Sequence, residues 1–147
     1  MFIHAVGLEI VAHPSSLLVP VNEIAVFTCK AHSCFSCSGY WIINGLYAEP
    51  PDEFTSKGYS FPPMQNYSDE LLMTLLVNAS EVVNNSVISC EFDPSGGIGS
   101  RIKSGRATLL VITSKKLKRK NLNEGNDNIN EFVFQMQTLH YRTIQYL

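Results

Sequence analysis

Several features are missing from this sequence, and each absence narrows what it can do. No apolar run approaches the ~20 residues that a membrane-crossing helix needs. No G-x-S-x-G nucleophile elbow occurs, so the usual serine-hydrolase turn is absent. Gly96-Gly97-Ile98-Gly99 matches neither G-x-G-x-x-G nor a G-K-S/T loop, and it reads as a hairpin tip rather than a phosphate cradle. The four histidines (His4, His13, His32 and His140) are scattered with no H-x-x-x-H pair. Adjacent carboxylates, Asp52/Glu53 and Asp69/Glu70, fall in segments that read as solvated loops. Charge is sparse as well: 16% of residues, with a net charge of −2, offer no bulk attraction for nucleic acid or an anionic membrane. We therefore expect no enzyme, no cofactor, no metal site and no nucleic-acid partner. The start, Met1 to Gly7, lacks a basic leader region, its apolar run is short, and Glu9 follows at once. With no signal peptide visible, the chain reads as a fragment of a longer surface or secreted protein.

What is present is a series of short strands. Leu8-Glu9-Ile10-Val11-Ala12 reads as an edge strand, broken by Pro14 and resumed at Leu17-Leu18-Val19 before Pro20. Proline belongs at edges and switch points, so this first strand is expected to cross from one sheet to another. In Ile24 to Cys29 the period of two puts Ala25, Phe27 and Cys29 on one face. Trp41 and Ile43 share a face, as do Ile88, Cys90 and Phe92. Leu71, Met73, Leu75 and Val77 point inward from a further strand, and Ala107, Leu109 and Val111 do so from a last strand over Ser104 to Thr113. Asp52 to Tyr67 reads as a loop with one or two short edge strands. Seven to nine strands, turn signals between them and no long helical pattern before residue 114 argue for an all-β antiparallel sandwich. The candidate core is Trp41, Phe27, Ile43, Leu75, Val77, Ile88, Leu109 and Val111.

Cys29, Trp41 and Cys90, with Ser104-Gly105-Arg106-Ala107-Thr108-Leu109-Leu110-Val111 near the end, resemble the immunoglobulin superfamily over about residues 7–113. The likeness is to its variable-type or intermediate-type domains in divergent form. It implies an immunoglobulin-like β-sandwich in which Cys29 and Cys90 form the inter-sheet disulfide and Trp41 packs against it. One position departs from the pattern. The family's tyrosine two residues before the second cysteine is Ile88 here, so the corner leading into that strand must be held in another way.

The second cysteine pair, Cys34-Phe35-Ser36-Cys37, admits four readings: a local disulfide, part of a metal site with His32, a redox dithiol, or unpaired thiols. A redox dithiol belongs at a helix start in an α/β fold, and a metal site needs about four ligands. A second disulfide stiffening the loop is therefore the leading reading. Three Asn-x-Ser/Thr triplets, at Asn66, Asn78 and Asn84, are candidate N-glycosylation sites if the chain enters the secretory pathway. Together with an even cysteine count they point to a glycoprotein outside the cell or on its surface. Asn78 and Asn84 flank a turn, where glycans are expected to face solvent.

The termini read differently. Residues 1–6 form an N-terminal extension, 114–127 a basic and polar linker and 128–147 a helical tail. Residues 1–114 hold 5 Lys+Arg against 10 Asp+Glu, and residues 115–147 hold 6 against 3. Lys115-Lys116-Leu117-Lys118-Arg119-Lys120 is read as a solvated run, since no aromatics interleave for base stacking. In the tail, Ile129, Phe132, Val133, Met136, Leu139 and His140 share one face of a short amphipathic helix capped by Asn128.

The expected function is a non-catalytic recognition or adhesion module, receptor-like, secreted or on the cell surface. Its partner is expected to be a protein, such as another immunoglobulin-like domain, or a second copy in a weak homodimer. Contact would run through the loops Lys30–Gly39 and Asp93–Ser100 or through the outer sheet face, where Ile42, Leu110 and Ile112 are expected to be uncovered. The alternatives are a structural spacer in a longer chain and, further off, a C-x-x-C thiol redox protein.

Overall fold

The computed structural model describes residues 7–34, 36–94 and 100–113. The N-terminal extension 1–6, the Gly96–Gly99 tip, the basic run, the linker and the amphipathic tail lie outside the described residues.

Two sheets face each other. One holds β1 (Glu9–Ala12), β3 (Ile24–His32), β8 (Glu70–Asn78), β6 (Tyr59–Ser60) and β7 (Gln65–Tyr67). The other holds β2 (Leu17–Pro20), β4 (Ser38–Ile43), β5 (Leu46–Tyr47), β9 (Ser86–Asp93), β10 (Ile102–Lys103) and β11 (Ala107–Ile112). All pairings are antiparallel except β2 with β11, which is parallel.

The first strand does change sheets. β1 pairs with β3 in one sheet and β2 with β11 in the other, with Pro14 in the crossing. Two side chains on the crossing dock it: His13 Nδ1 accepts the Gly105 N–H at 3.0 Å, and Ser16 Oγ accepts the Thr108 N–H at 2.9 Å. These bonds take up backbone donors that a continuous ladder would use. The strand expected over Ser104 to Thr113 is accordingly split. β10 and β11 both pair with β9, and between them Ser104 Oγ accepts the Cys90 N–H at 2.9 Å.

β3 and β8 pair without a break from Ile24↔Asn78 to His32↔Glu70. Their alternation sends Ala25, Phe27, Cys29, Ala31, Leu71, Met73, Leu75 and Val77 into the core. From the opposite sheet come Trp41, Ile43, Ile88, Cys90, Phe92, Ala107, Leu109 and Val111. Every one of these is buried, and burial of large apolar side chains, at ~1.5–3 kcal/mol each, is the main force joining the layers. Cys29 and Cys90 cross the core as a disulfide with Cα atoms 6.6 Å apart. Trp41 is the ladder partner of Cys90, so its indole stands beside that bridge on the same sheet.

The segment from Asp52 to Tyr67 yields β6 and β7 and also one helical turn, α1 (Asp52–Thr55). Asp52 and Glu53 sit in the first turn, where acidic groups suit the helix dipole, and Phe54 turns inward edge-on to Tyr59 at 6.0 Å. One turn is too short to show a helical period in the sequence.

The outer face differs from expectation at two positions. Leu110 is exposed, but Ile42 and Ile112 are buried outside the inter-sheet core. Ile42 is flanked by aromatics: Tyr47 is its ladder partner and Tyr40 precedes it by two residues on the same face. Ile112 is paired with Pro20, and the turn beyond closes on it, with the Val21 N–H donating to the Ile112 carbonyl at 3.0 Å.

Candidate recognition face

The β4–β5 hairpin turns on Asn44-Gly45, both at positive φ (52° and 80°). This is the two-residue turn whose twist suits a tight antiparallel pair. It carries Tyr47 back across β4, so that the rings of Tyr40 and Tyr47 meet edge to face at 6.0 Å. On the neighbouring strand Glu91 points to the same side, and the Tyr47 hydroxyl donates to Glu91 Oε2 at 2.6 Å. Arg101, just before β10, completes the group. Its guanidinium lies 3.0 Å from Asp93 Oδ2 and 3.8 Å from Glu91 Oε2.

The exposures divide the roles. The Glu91 side chain is 7% exposed and Arg101 is 56% exposed. Glu91 is therefore the buried anchor, held by a hydroxyl and a cation, and Arg101 and the tyrosine rings are what a partner would meet. Hydrogen bonding to Glu91, then partial desolvation and the carboxylate charge, hold the Tyr47 phenol above its ordinary pKa. The Asp93 carboxylate chiefly raises Arg101, which stays charged throughout. Tyr40 also borders a groove of about 270 Å³ lined by Trp41, Phe61, Pro62, Met64 and Met73.

The cysteine loop lies between β3 and β4. Cys34 and Cys37 are joined to each other, with Cα atoms 5.4 Å apart, and Cys34 is buried. Among the described residues no group of His, Cys, Asp and Glu is placed to hold a metal ion. The loop is fastened to the turn before β8: the Cys34 N–H donates to the Asp69 carbonyl at 2.9 Å, and His32 Nε2 lies 3.0 Å from Asp69 Oδ2. Neither contact was legible beforehand, because both join residues distant in sequence.

No protein-family model matches the chain, and no curated protein matches it either. Solved structures do. The N-terminal Ig1-2 module of the Drosophila receptor protein tyrosine phosphatase DLAR superposes at TM-score 0.54 and 20% identity, over 71% of this chain and 48% of the module. The chain thus spans about half of that two-domain module. Duf (Kirre) D1 superposes at 0.58 and 16% identity, over 72% of this chain and 97% of that one. Titin M4 does so at 0.52 and 16% identity, over 71% and 95%. The chain has the immunoglobulin fold.

Within this immunoglobulin-like domain, the corner where Ile88 replaces a tyrosine is held by an asparagine. Asn84 Oδ1 accepts the Val111 N–H at 2.8 Å, and the Asn85 N–H donates to the Leu109 carbonyl at 2.8 Å. Asn85 takes positive φ (62°), a conformation asparagine tolerates better than most residues. Ser86 is buried, with its hydroxyl 2.7 Å from that of Tyr59. Burial raises the Tyr59 pKa, partly offset by the Ser86 hydroxyl. Asn84, one of the three glycosylation triplets, is therefore half-buried and engaged in the corner rather than free in solvent as expected. Asn66 is exposed on the short edge strand β7, and Asn78 is exposed at the end of β8.

No helix among the described residues is long and apolar enough to cross a membrane.

Proposed function

We propose that this domain, over residues 7–113, is a non-catalytic recognition module of a secreted or cell-surface protein. Its docking surface is the outer face of the six-stranded sheet around Tyr40, Tyr47, Glu91, Asp93 and Arg101. The observation that carries this reading is the network itself. Tyr47, Glu91, Arg101 and Asp93 are held together before any partner arrives, which lowers the ordering cost of contact. Tyrosine and arginine are also the residue types that most often dominate interface energetics. Two paired disulfides suit an oxidising compartment. A second immunoglobulin-like domain fits as the partner. One structure this chain resembles, at TM-score 0.52 and 18% identity, is a complex of titin M10 with the obscurin-like 1 immunoglobulin domain.

The test is sedimentation equilibrium of the full chain, alone and mixed with a panel of secreted immunoglobulin-like domains. Association should be lost on Tyr47→Ala with Arg101→Ala. Association that survives this pair of changes, or is lost on changing Val26 of the opposite face instead, would refute the assignment.

A further inference from the structure

The face turned away from Tyr47 carries an apolar strip. Ile24 is 64% exposed and Val26 51% exposed, and the ladder partner of Val26 is Leu76. Exposed apolar side chains grouped on one sheet face call for something that covers them. The ladder partner of Ile24 is Asn78, first residue of Asn78-Ala79-Ser80. Leu71, Met73, Leu75 and Val77 point inward, so Asn78 continues the outward series and is exposed. Its backbone is fixed by the N–H donating to the Gly58 carbonyl at 2.9 Å.

We propose that Asn78 carries an N-linked glycan whose first sugars lie over Ile24 and Val26, so that this face is shielded and the Tyr47 face is left for docking. This rests on the extracellular reading above. In the transfer, Asn78 Nδ2 forms a bond to C1 of the first sugar and gives up one proton to the transferase. The C1–O bond to a lipid-linked diphosphate breaks, and the diphosphate leaves with the bonding pair. Directly opposed residues on an antiparallel pair have Cβ atoms ~5 Å apart, so the first sugar starts within reach of Ile24.

The other two triplets do not serve. Asn84 holds the Val111 N–H, and its Ser86 is buried against Tyr59, so a sugar there would sit in the corner that orders β9. Asn66 pairs with Leu71, seven residues along β8 from Asn78, or about 23 Å at strand rise.

To test this, the full chain is expressed behind a cleavable secretion leader in eukaryotic cells. Amidase release then marks each occupied asparagine as aspartate for mass spectrometry. Asn78 should be marked and Asn84 unmarked. Asn78→Gln should bind a hydrophobic dye several-fold more strongly, and Val26→Thr should reverse the gain. Ser80→Ala provides a second route to the same state, since the Ser80 side chain makes no capping hydrogen bond to the turn it precedes. A secreted, fully oxidised chain with Asn78 bare, or variants with unchanged dye binding, would overturn the proposal. A retained chain with Cys29 and Cys90 unpaired would overturn the extracellular reading and the glycan with it.

Discussion

The side-chain oxygen of Asn84 accepts the Val111 N–H at 2.8 Å, joining the corner before β9 to the last strand. Val111 is buried, so without Asn84 its N–H would have no solvent to turn to. Asn84→Ala should cost ~1–3 kcal/mol, the usual range for stranding a buried donor. Asn84→Asp keeps an acceptor at the same reach and should recover most of the loss. Urea unfolding of the three chains compares them directly. An alanine variant as stable as the parent would show that the bond does not hold the corner.

Tyr59 gives the domain a pH dependence on the alkaline side. Burial raises its pKa in the folded chain, whereas the unfolded phenol ionises near the ordinary value of about 10. Above that pH the unfolded chain releases a proton that the folded chain still holds. Stability contributed by Tyr59 is thus complete below pH ~10 and is lost as pH rises toward the folded pKa. Tyr59→Phe should remove this component of the slope in denaturant midpoints taken across that window. It should also cost ~1–3 kcal/mol at neutral pH, because the Ser86 hydroxyl loses its partner.

Tyr47 reports on the recognition face through its titration. Glu91 is the chief cause of its raised pKa, and Arg101 acts in the opposite direction. Glu91→Ala should move the Tyr47 transition down toward the ordinary phenol value, and Arg101→Ala should move it further up. Ultraviolet difference titration, with Tyr47→Phe identifying the signal, reads both. Two shifts of the same sign would contradict the described contacts.

The disulfides should differ in weight. Cys29 and Cys90 are 61 residues apart, and closing so long a loop is worth about 4 kcal/mol in the chain-entropy model. Cys34 and Cys37 are 3 residues apart, for which the same relation gives about 2 kcal/mol. Replacing Cys29 and Cys90 with alanine should therefore lower the urea midpoint more than replacing Cys34 and Cys37 with serine. The reverse order would point to the short loop as the main source of cohesion.

The inward-facing residues of β3, β8, β9 and β11 were readable in advance because strand periodicity assigns a face to every side chain from its place in the chain alone. The same rule placed Ile42 outside, and it does face outside; the rule could not see the two tyrosines that enclose it. It also could not see the break at Ser104, because the groups that interrupt the strand, His13 and Ser16, come from 92 residues earlier. Asn84 was read as a carbohydrate site because a triplet is recognised from three adjacent residues, whereas its engagement depends on Val111.

By itself the sequence determined the alternation of strands, the pairing partners implied by its cysteines and tryptophan, and the crossing at Pro14. These follow from local stereochemistry and from the need to bury one face of each strand. Only the tertiary structure decided that Tyr47, Glu91, Asp93 and Arg101 meet, that Asn84 closes a corner, and that Asn78 stands opposite Ile24. Those are contacts between strands, and register is set by the packing of the whole sandwich rather than by any one stretch within it.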